Sequence, residues 1–199
     1  VKILCIGTHP DDLCIGMGGT ISKFKKRGYD IIPFISRECN GMRYLEEKNA
    51  LECLKIKHFL IKNFTFEDVN QMEEIGYLDK LIKETKPNRV YIPSKDSNQH
   101  HRRLNEMCIS ALRRTNIDIY SYCPTTVKGI EIYPFVPNLY EDISKEFKCK
   151  IKAIRCHKTQ LKKFGNGYID FIKDKDAHNG FQIGVNYAET FQMIREVKK

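Results

Sequence analysis

The stretch Val1-Lys2-Ile3-Leu4-Cys5-Ile6-Gly7-Thr8-His9-Pro10-Asp11-Asp12 decides the fold. Val1–Ile6 is a short apolar run without alternation, which predicts a strand buried on both faces. After the turn His9-Pro10-Asp11-Asp12, apolar spacing at Met17, Ile21 and Phe24 predicts a helix over Met17–Arg27 that stops at Gly28. Working outward, the two periods keep alternating. Strands are expected at Tyr29–Ile35, Phe59–Ile61, Arg89–Pro93 and Ile117–Tyr122, with helices at Arg43–Leu54, Val69–Glu84 and His101–Arg113 between them. Strand–helix alternation with short connections implies an α/β fold, its parallel sheet covered by helices on both faces. In such sheets ligands bind outside the carboxyl ends of the strands, so chemistry is sought after the first, second and fourth strands.

Beyond Pro124 the pattern changes. Ile130–Val136 reads as extended, Lys145–Gln160 as one basic amphipathic helix, and Gly165–Asn186 as irregular. No linker rich in Pro, Gly and Ser separates the halves. The expectation is a single domain over 1–199, with a core over 1–123 and an extension or flap over 124–199 that completes the site.

The chain of 199 residues carries 34 Lys+Arg against 25 Asp+Glu, a net charge of +9. With 41% hydrophobic and 30% charged residues it is a globular composition, not a disordered one. No apolar run reaches the ~18 residues of a membrane span, and Val1–Gly7 is too short for a signal peptide. Collagenous, coiled-coil and repeat architectures are likewise excluded. The eight cysteines are scattered, without a C-x-x-C pair, and read as small apolar fillers in a reducing, cytoplasmic compartment. The positive charge raises a nucleic-acid-binding module as one reading, but no RNA signature or helix-turn-helix accompanies it.

His9, Asp11 and Asp12 offer an imidazole and two carboxylates at one strand end. If His9 and one aspartate hold a divalent metal, the other is left as a general base. The bland reading is a helix cap with a surface histidine. The loop after the fourth strand, Ser94–Arg103, adds Asp96, Asn98, His100 and His101; its bland reading is another helix start, capped by Asp96 or Asn98. Two successive histidines point in different directions, so both are not expected on one ion. Two such loops at neighbouring strand ends point to a metal site.

His9-Pro10-Asp11-Asp12 followed by Gly16-Met17-Gly18-Gly19-Thr20 resembles the N-terminal signature of the PIG-L/LmbE-like N-deacetylases. Arg43-x-x-Glu46-x-x-x-Ala50-x-x-x-Leu54, Asp96-x-Asn98-Gln99-x-His101-Arg102, Lys152-Ala153 with His157-x-x-Gln160, and Gly184-x-x-Tyr187-Ala188-Glu189-x-Phe191 follow in the family's order. The resemblance implies a Rossmann-like three-layer sandwich of the LmbE type. It also implies a hydrolase that removes an N-acetyl group from an N-acetylglucosamine-type sugar or conjugate. His9, Asp12 and His101 would hold Zn²⁺, or Fe²⁺ or another divalent ion, and Asp11 would be the general base acting on a metal-activated water. Asn98 would steady the oxyanion. Arg43 would contact substrate, with His157 as a further contact; apart from the resemblance, His178 in the glycine-bearing segment is a candidate to line the pocket, its bland reading a solvated loop histidine.

Tyr120, Tyr122, Tyr133 and Phe135 are candidates for stacking on a sugar, although such aromatics are more commonly core. Leu13 departs from the family's glutamate, His100 from its aspartate, and Asn98 from its histidine. These departures raise, as the alternative, a degenerate member that binds a sugar or a partner without catalysis. A homo-oligomer is allowed by the sequence. The surplus cations suggest a phosphate- or nucleotide-linked sugar.

Overall fold

The computed structural model describes residues 1–124, 134–165 and 167–198. Among these, seven strands form one sheet in the order β3-β2-β1-β4-β5-β7-β6. They are β1 Lys2–Gly7, β2 Asp30–Ile35, β3 Leu60–Ile61, β4 Arg89–Pro93, β5 Asp118–Tyr122, β6 Leu139–Asp142 and β7 Ala188–Arg195. The first five are parallel, whereas β7 runs antiparallel to both β5 and β6. The helices are α1 Asp12–Lys26, α2 Gly41–Cys53, α3 Gln71–Thr85, α4 Gln99–Leu112, α5 Phe147–Ile154, α6 Lys158–Phe164 and α7 Gly167–Gln182.

The apolar run of β1 is continuous because both its faces are covered. Ile3 and Cys5 point into one core with α1, α2, α5 and α7; Leu4 and Ile6 point into a second core with α3 and α4. This is the α/β sandwich with a mostly parallel sheet that the alternation implies. The chain leaves β1 for β2 on one side and returns to β4 on the other, so the switch point lies between the ends of β1 and β4.

Helix α1 begins five residues earlier than Met17 and is broken at Met17, where φ is −150°. The break frees the peptide N–H groups of Gly19 and Thr20, and the Glu189 carboxylate of β7 accepts both, at 2.9 and 2.7 Å. Close approach explains two glycines here. A Cβ on Gly16 would lie 2.2 Å from the Tyr122 ring, and one on Gly19 would lie 2.7 Å from Ile143.

Beyond Pro124 one reading falls largely outside the described residues and two need correction. Residues 125–133, with Tyr133 and most of the expected extended stretch, lie outside the described residues, and 134–138 carry no regular structure. The single helix over Lys145–Gln160 is two, α5 and α6, because Glu46 of α2 takes both the N–H and the hydroxyl of Thr159, at 2.8 and 2.6 Å. The segment read as irregular is largely α7. Its buried face is Tyr168, Ile172, Asp176 and Gly180, and the aspartate and glycine disguise the helical spacing.

Asp176 is buried because Lys150, itself fully buried, reaches it at 2.6 Å and Glu189 at 2.8 Å. Burial opposes the Lys150 charge, but the two carboxylates outweigh it and hold its pKa above the ordinary value. Replacing Lys150 with Met leaves two buried carboxylates without a cation, and is expected to cost about 3–5 kcal/mol of unfolding free energy in urea denaturation. An unchanged midpoint would show that the triad does not join the C-terminal segments to α1.

Candidate active site

The turn between β1 and α1 is folded on its own carboxylate. Asp12 Oδ2 accepts the peptide N–H of Thr8 at 2.9 Å and of His9 at 2.8 Å. The residue between, Asp11, sits at φ 106°, where an L-residue is strained by roughly 1–3 kcal/mol. Its surroundings hold it there. Asp11 N–H donates to Glu47 Oε2 at 3.0 Å, and Arg43 donates to the Pro10 carbonyl at 2.6 Å. The same guanidinium bonds Glu38 at 2.8 Å and stands 3.6 Å from Asp11 Oδ1.

The second wall is the loop between β4 and α4. Asn98 caps α4, its side-chain oxygen accepting His100 N–H at 2.9 Å, and its own N–H donates to Asp96 Oδ1 at 2.7 Å. The other Asp96 oxygen lies 2.6 Å from His101 Nδ1, so the His101 proton belongs there and Nε2 is left as a donor atom. The two histidines address opposite sides of His9: His101 Nε2 is 3.2 Å from His9 Nδ1, and His100 Nδ1 is 3.2 Å from His9 Nε2.

Three ligand atoms therefore converge. His9 Nδ1, Asp12 Oδ2 and His101 Nε2 stand 3.2, 3.7 and 3.4 Å apart. Two ligands each ~2.0–2.1 Å from a tetrahedral centre are separated by about 3.3–3.4 Å, so the set fits one divalent ion with a coordination position left over. Burial pushes the Asp12 carboxyl up, but His101 and His9 hold it well below the usual carboxylate range. Asp11 moves the other way: burial and the Asp12 charge raise it, with Arg43 opposing. Adjacent carboxylates with opposite shifts are suited to different tasks, one as ligand and one as base.

A family model described as PIG-L, GlcNAc-PI de-N-acetylase, matches residues 4–112, over half of the chain. The chain belongs to the PIG-L family. It is 24% identical over 221 residues to diacetylchitobiose deacetylase of Thermococcus kodakarensis, an alignment covering 97% of this chain and 83% of that protein. It is 25% identical over 203 residues to a Bacillus cereus protein named "Probable N-acetyl-alpha-D-glucosaminyl L-malate deacetylase 2", covering 88% of this chain and 90% of that one. Among solved structures, inhibitor-bound N,N'-diacetylchitobiose deacetylase from Pyrococcus horikoshii superposes with a TM-score of 0.80 at 25% identity, covering 97% of this chain and 83% of that chain. No helix among the described residues is long and apolar enough to cross a membrane.

In this PIG-L family member a cavity of about 370 Å³ opens at the switch point. His9, Asp11, Asp12, Arg43, Asn98 and His101 all line it, as does His100, whose ring stacks on Phe66. Burial and Arg37 lower the His100 imidazole to about 4. Two expected substrate contacts are corrected. His157 is 1% exposed and lies behind the Asp11 turn, against Glu47, while Gln160 of the same helix lines the cavity instead. His178 faces a different depression, bordered by Phe135 and Tyr140, and contacts Gln182 one turn along α7. Tyr120 and Tyr122 are core; the Tyr122 hydroxyl donates to the Ile6 carbonyl.

Sequence reasoning missed three contributors. Asp96 is read from the sequence as part of the metal-site loop or as a cap, not as the partner of His101 Nδ1, though its place five residues before His101 is a usable signal. Glu47 looks like one of a solvated Glu46-Glu47 pair, yet both are buried. Lys163, Phe164 and Tyr168 form the far wall, with the two rings stacked at 4.8 Å and the Lys163 ammonium over Phe164 at 5.4 Å.

In the metal-free protein burial opposes a charge on His101, but Asp12 and Asp96 outweigh it and raise the imidazole to about 10. A metal taking Nε2 must displace that proton. Zn²⁺ loading at neutral pH is expected to release about one proton per site and to tighten as pH rises toward that value. Calorimetry in buffers of different ionisation enthalpy measures it; no net release would count against His101 as a ligand. Asp96→Ala is expected to weaken Zn²⁺ binding by about 10–100-fold, read by chelator competition.

Proposed function

We propose that this chain is a metal-dependent hydrolase that removes the N-acetyl group of an amino sugar or its conjugate, with Zn²⁺ the expected ion. The observation carrying this reading is the convergence of His9 Nδ1, Asp12 Oδ2 and His101 Nε2 at tetrahedral spacing in the cavity that Asp11 also lines. The same two-histidine, one-carboxylate set suits Fe²⁺. A bound divalent ion supplies a Lewis acid that polarises the acetyl carbonyl and makes water easier to deprotonate.

The chain's own residues do the rest. Asp11 takes the proton of the attacking water and returns it to the leaving amine. Its burial and its neighbour Asp12 make its carboxylate a better base than a solvated aspartate. Asn98 lines the cavity and offers an amide to the developing oxyanion. Its oxygen already caps α4, so only its NH₂ group is left for that task. Arg43 acts mainly on the protein, fixing the Pro10–Asp11 turn and Glu38 at the rim. Phe164 and Tyr168 offer an aromatic wall on which the apolar face of a pyranose can lie, and Lys163 beside them favours a conjugate bearing an anionic group.

The test is acetate release by the Zn²⁺-loaded protein from a panel of N-acetyl amino sugars, free and phosphate-linked. Asp11→Asn is expected to retain Zn²⁺ and to lose about 10²–10⁴-fold in kcat. Metal and sugar binding without acetate release from any member would favour a non-catalytic binder instead.

A further inference from the structure

Behind the Asp11 turn lies a buried group that the proposed reaction does not touch. Cys14, Glu47 and His157 are 0%, 0% and 1% exposed, and a ligand atom of each lies within 4.8 Å of the others. Both ring nitrogens of His157 and Oε1 of Glu47 lack a hydrogen-bond partner. Glu47 Oε2 is different: it accepts Asp11 N–H at 3.0 Å and stands 3.5 Å from His157 Nε2. A carboxyl buried this deeply is costly, and α2 would lose nothing locally by carrying an apolar residue there. Its placement makes sense through what it holds.

What it holds is the peptide of a strained residue in the site. At φ 106° the Asp11 N–H is turned away from the α1 hydrogen-bond ladder and toward α2. Without Glu47 it would be a buried donor with no acceptor, and the turn would relax to pair it. The Asp11 side chain would move with the backbone. Leu13, beside the aspartate pair, joins the apolar core, and the carboxylate behind the turn comes from α2.

We propose that Glu47, backed by His157, is the positioning residue for Asp11: it clamps the Asp11 peptide in its left-handed conformation and so aims the carboxylate. This rests on the reading of Asp11 as the general base. Burial raises Glu47 to about 8 and lowers His157 to about 3, so both are neutral at pH 7. A glutamine is neutral like the protonated glutamate and keeps a carbonyl for Asp11 N–H. A leucine fills the space and offers no acceptor.

The experiment compares Glu47→Leu and Glu47→Gln with the parent, as Zn²⁺-loaded proteins, by steady-state kinetics, metal content and the NMR signal of the Asp11 amide. Misplacing a catalytic group by about 1 Å costs on the order of 10²-fold, so Glu47→Leu is expected to lose about 30-fold or more in kcat with KM and one bound Zn²⁺ unchanged. Its Asp11 amide should lose protection from solvent exchange, without a fall in melting temperature. Glu47→Gln is expected to keep kcat within about fivefold and the amide protected, since its acceptor is retained. An unchanged kcat in Glu47→Leu, an equal loss in both variants, or a second Zn²⁺ in the parent that Glu47→Leu lacks would each overturn the proposal. The amide is read without substrate. A parent that releases no acetate therefore sinks the deacetylase reading, while protection of Asp11 still decides the Glu47 contact.

Discussion

The double hydrogen bond from Thr8 N–H and His9 N–H to Asp12 Oδ2 is the interaction on which the site depends. It closes the chain on itself at the end of β1, the strand buried on both faces. A strand so enclosed exposes only its end, and there the fold offers a cleft, because β2 and β4 lie on opposite sides of β1. Closing the turn on Asp12 sends Asp11 into a left-handed conformation and aims His9 at α4. The strain is distributed: Arg43 takes the Pro10 carbonyl, Glu47 the Asp11 amide, and His101 approaches Asp12 from the neighbouring strand end.

The second constraint is how the C-terminal segments reach this cleft. Helix α1 is broken one turn beyond the site, and its exposed N–H groups are taken by Glu189 of the antiparallel β7. Glu189 shares Lys150 with Asp176, so one buried cation ties α5, α7 and β7 to α1. Glu46 then pulls Thr159 onto α2 and bends the chain between α5 and α6. Gln160, Lys163, Phe164 and Tyr168 arrive at the cavity by these contacts, and with them whatever selectivity for substrate the cavity has.

The legible parts of the sequence were those whose physics is local. Apolar runs, helical spacing and the glycine after α1 marked the first five strands and four helices to within a few residues. His9, Asp11 and Asp12 stand out as candidates because they crowd one turn, and the choice of His101 over His100 at the next strand end came from the family resemblance. Helix α7 was hidden because its inward face carries Asp176 and Gly180, and an aspartate is read as solvated until its lysine is known. His157 and His178 were misplaced for the same reason: spacing along a helix gives the shared face, not what covers it.

By itself, the sequence determined an α/β sheet with candidate chemistry at the ends of the first and fourth strands, and its family resemblance singled out the four side chains proposed as ligands and base. Period, turn composition and motif spacing are properties of neighbouring residues, so they survive without coordinates. Only the tertiary structure decided that Asp96 pairs with His101, that Glu47 lies beneath Asp11, and that Phe164 and Tyr168 line the cavity with His9, Asp12 and His101. Each joins residues distant in sequence through a buried polar contact or a packed wall. Burial is what turns an ordinary glutamate or aspartate from a solvated charge into a part of the site.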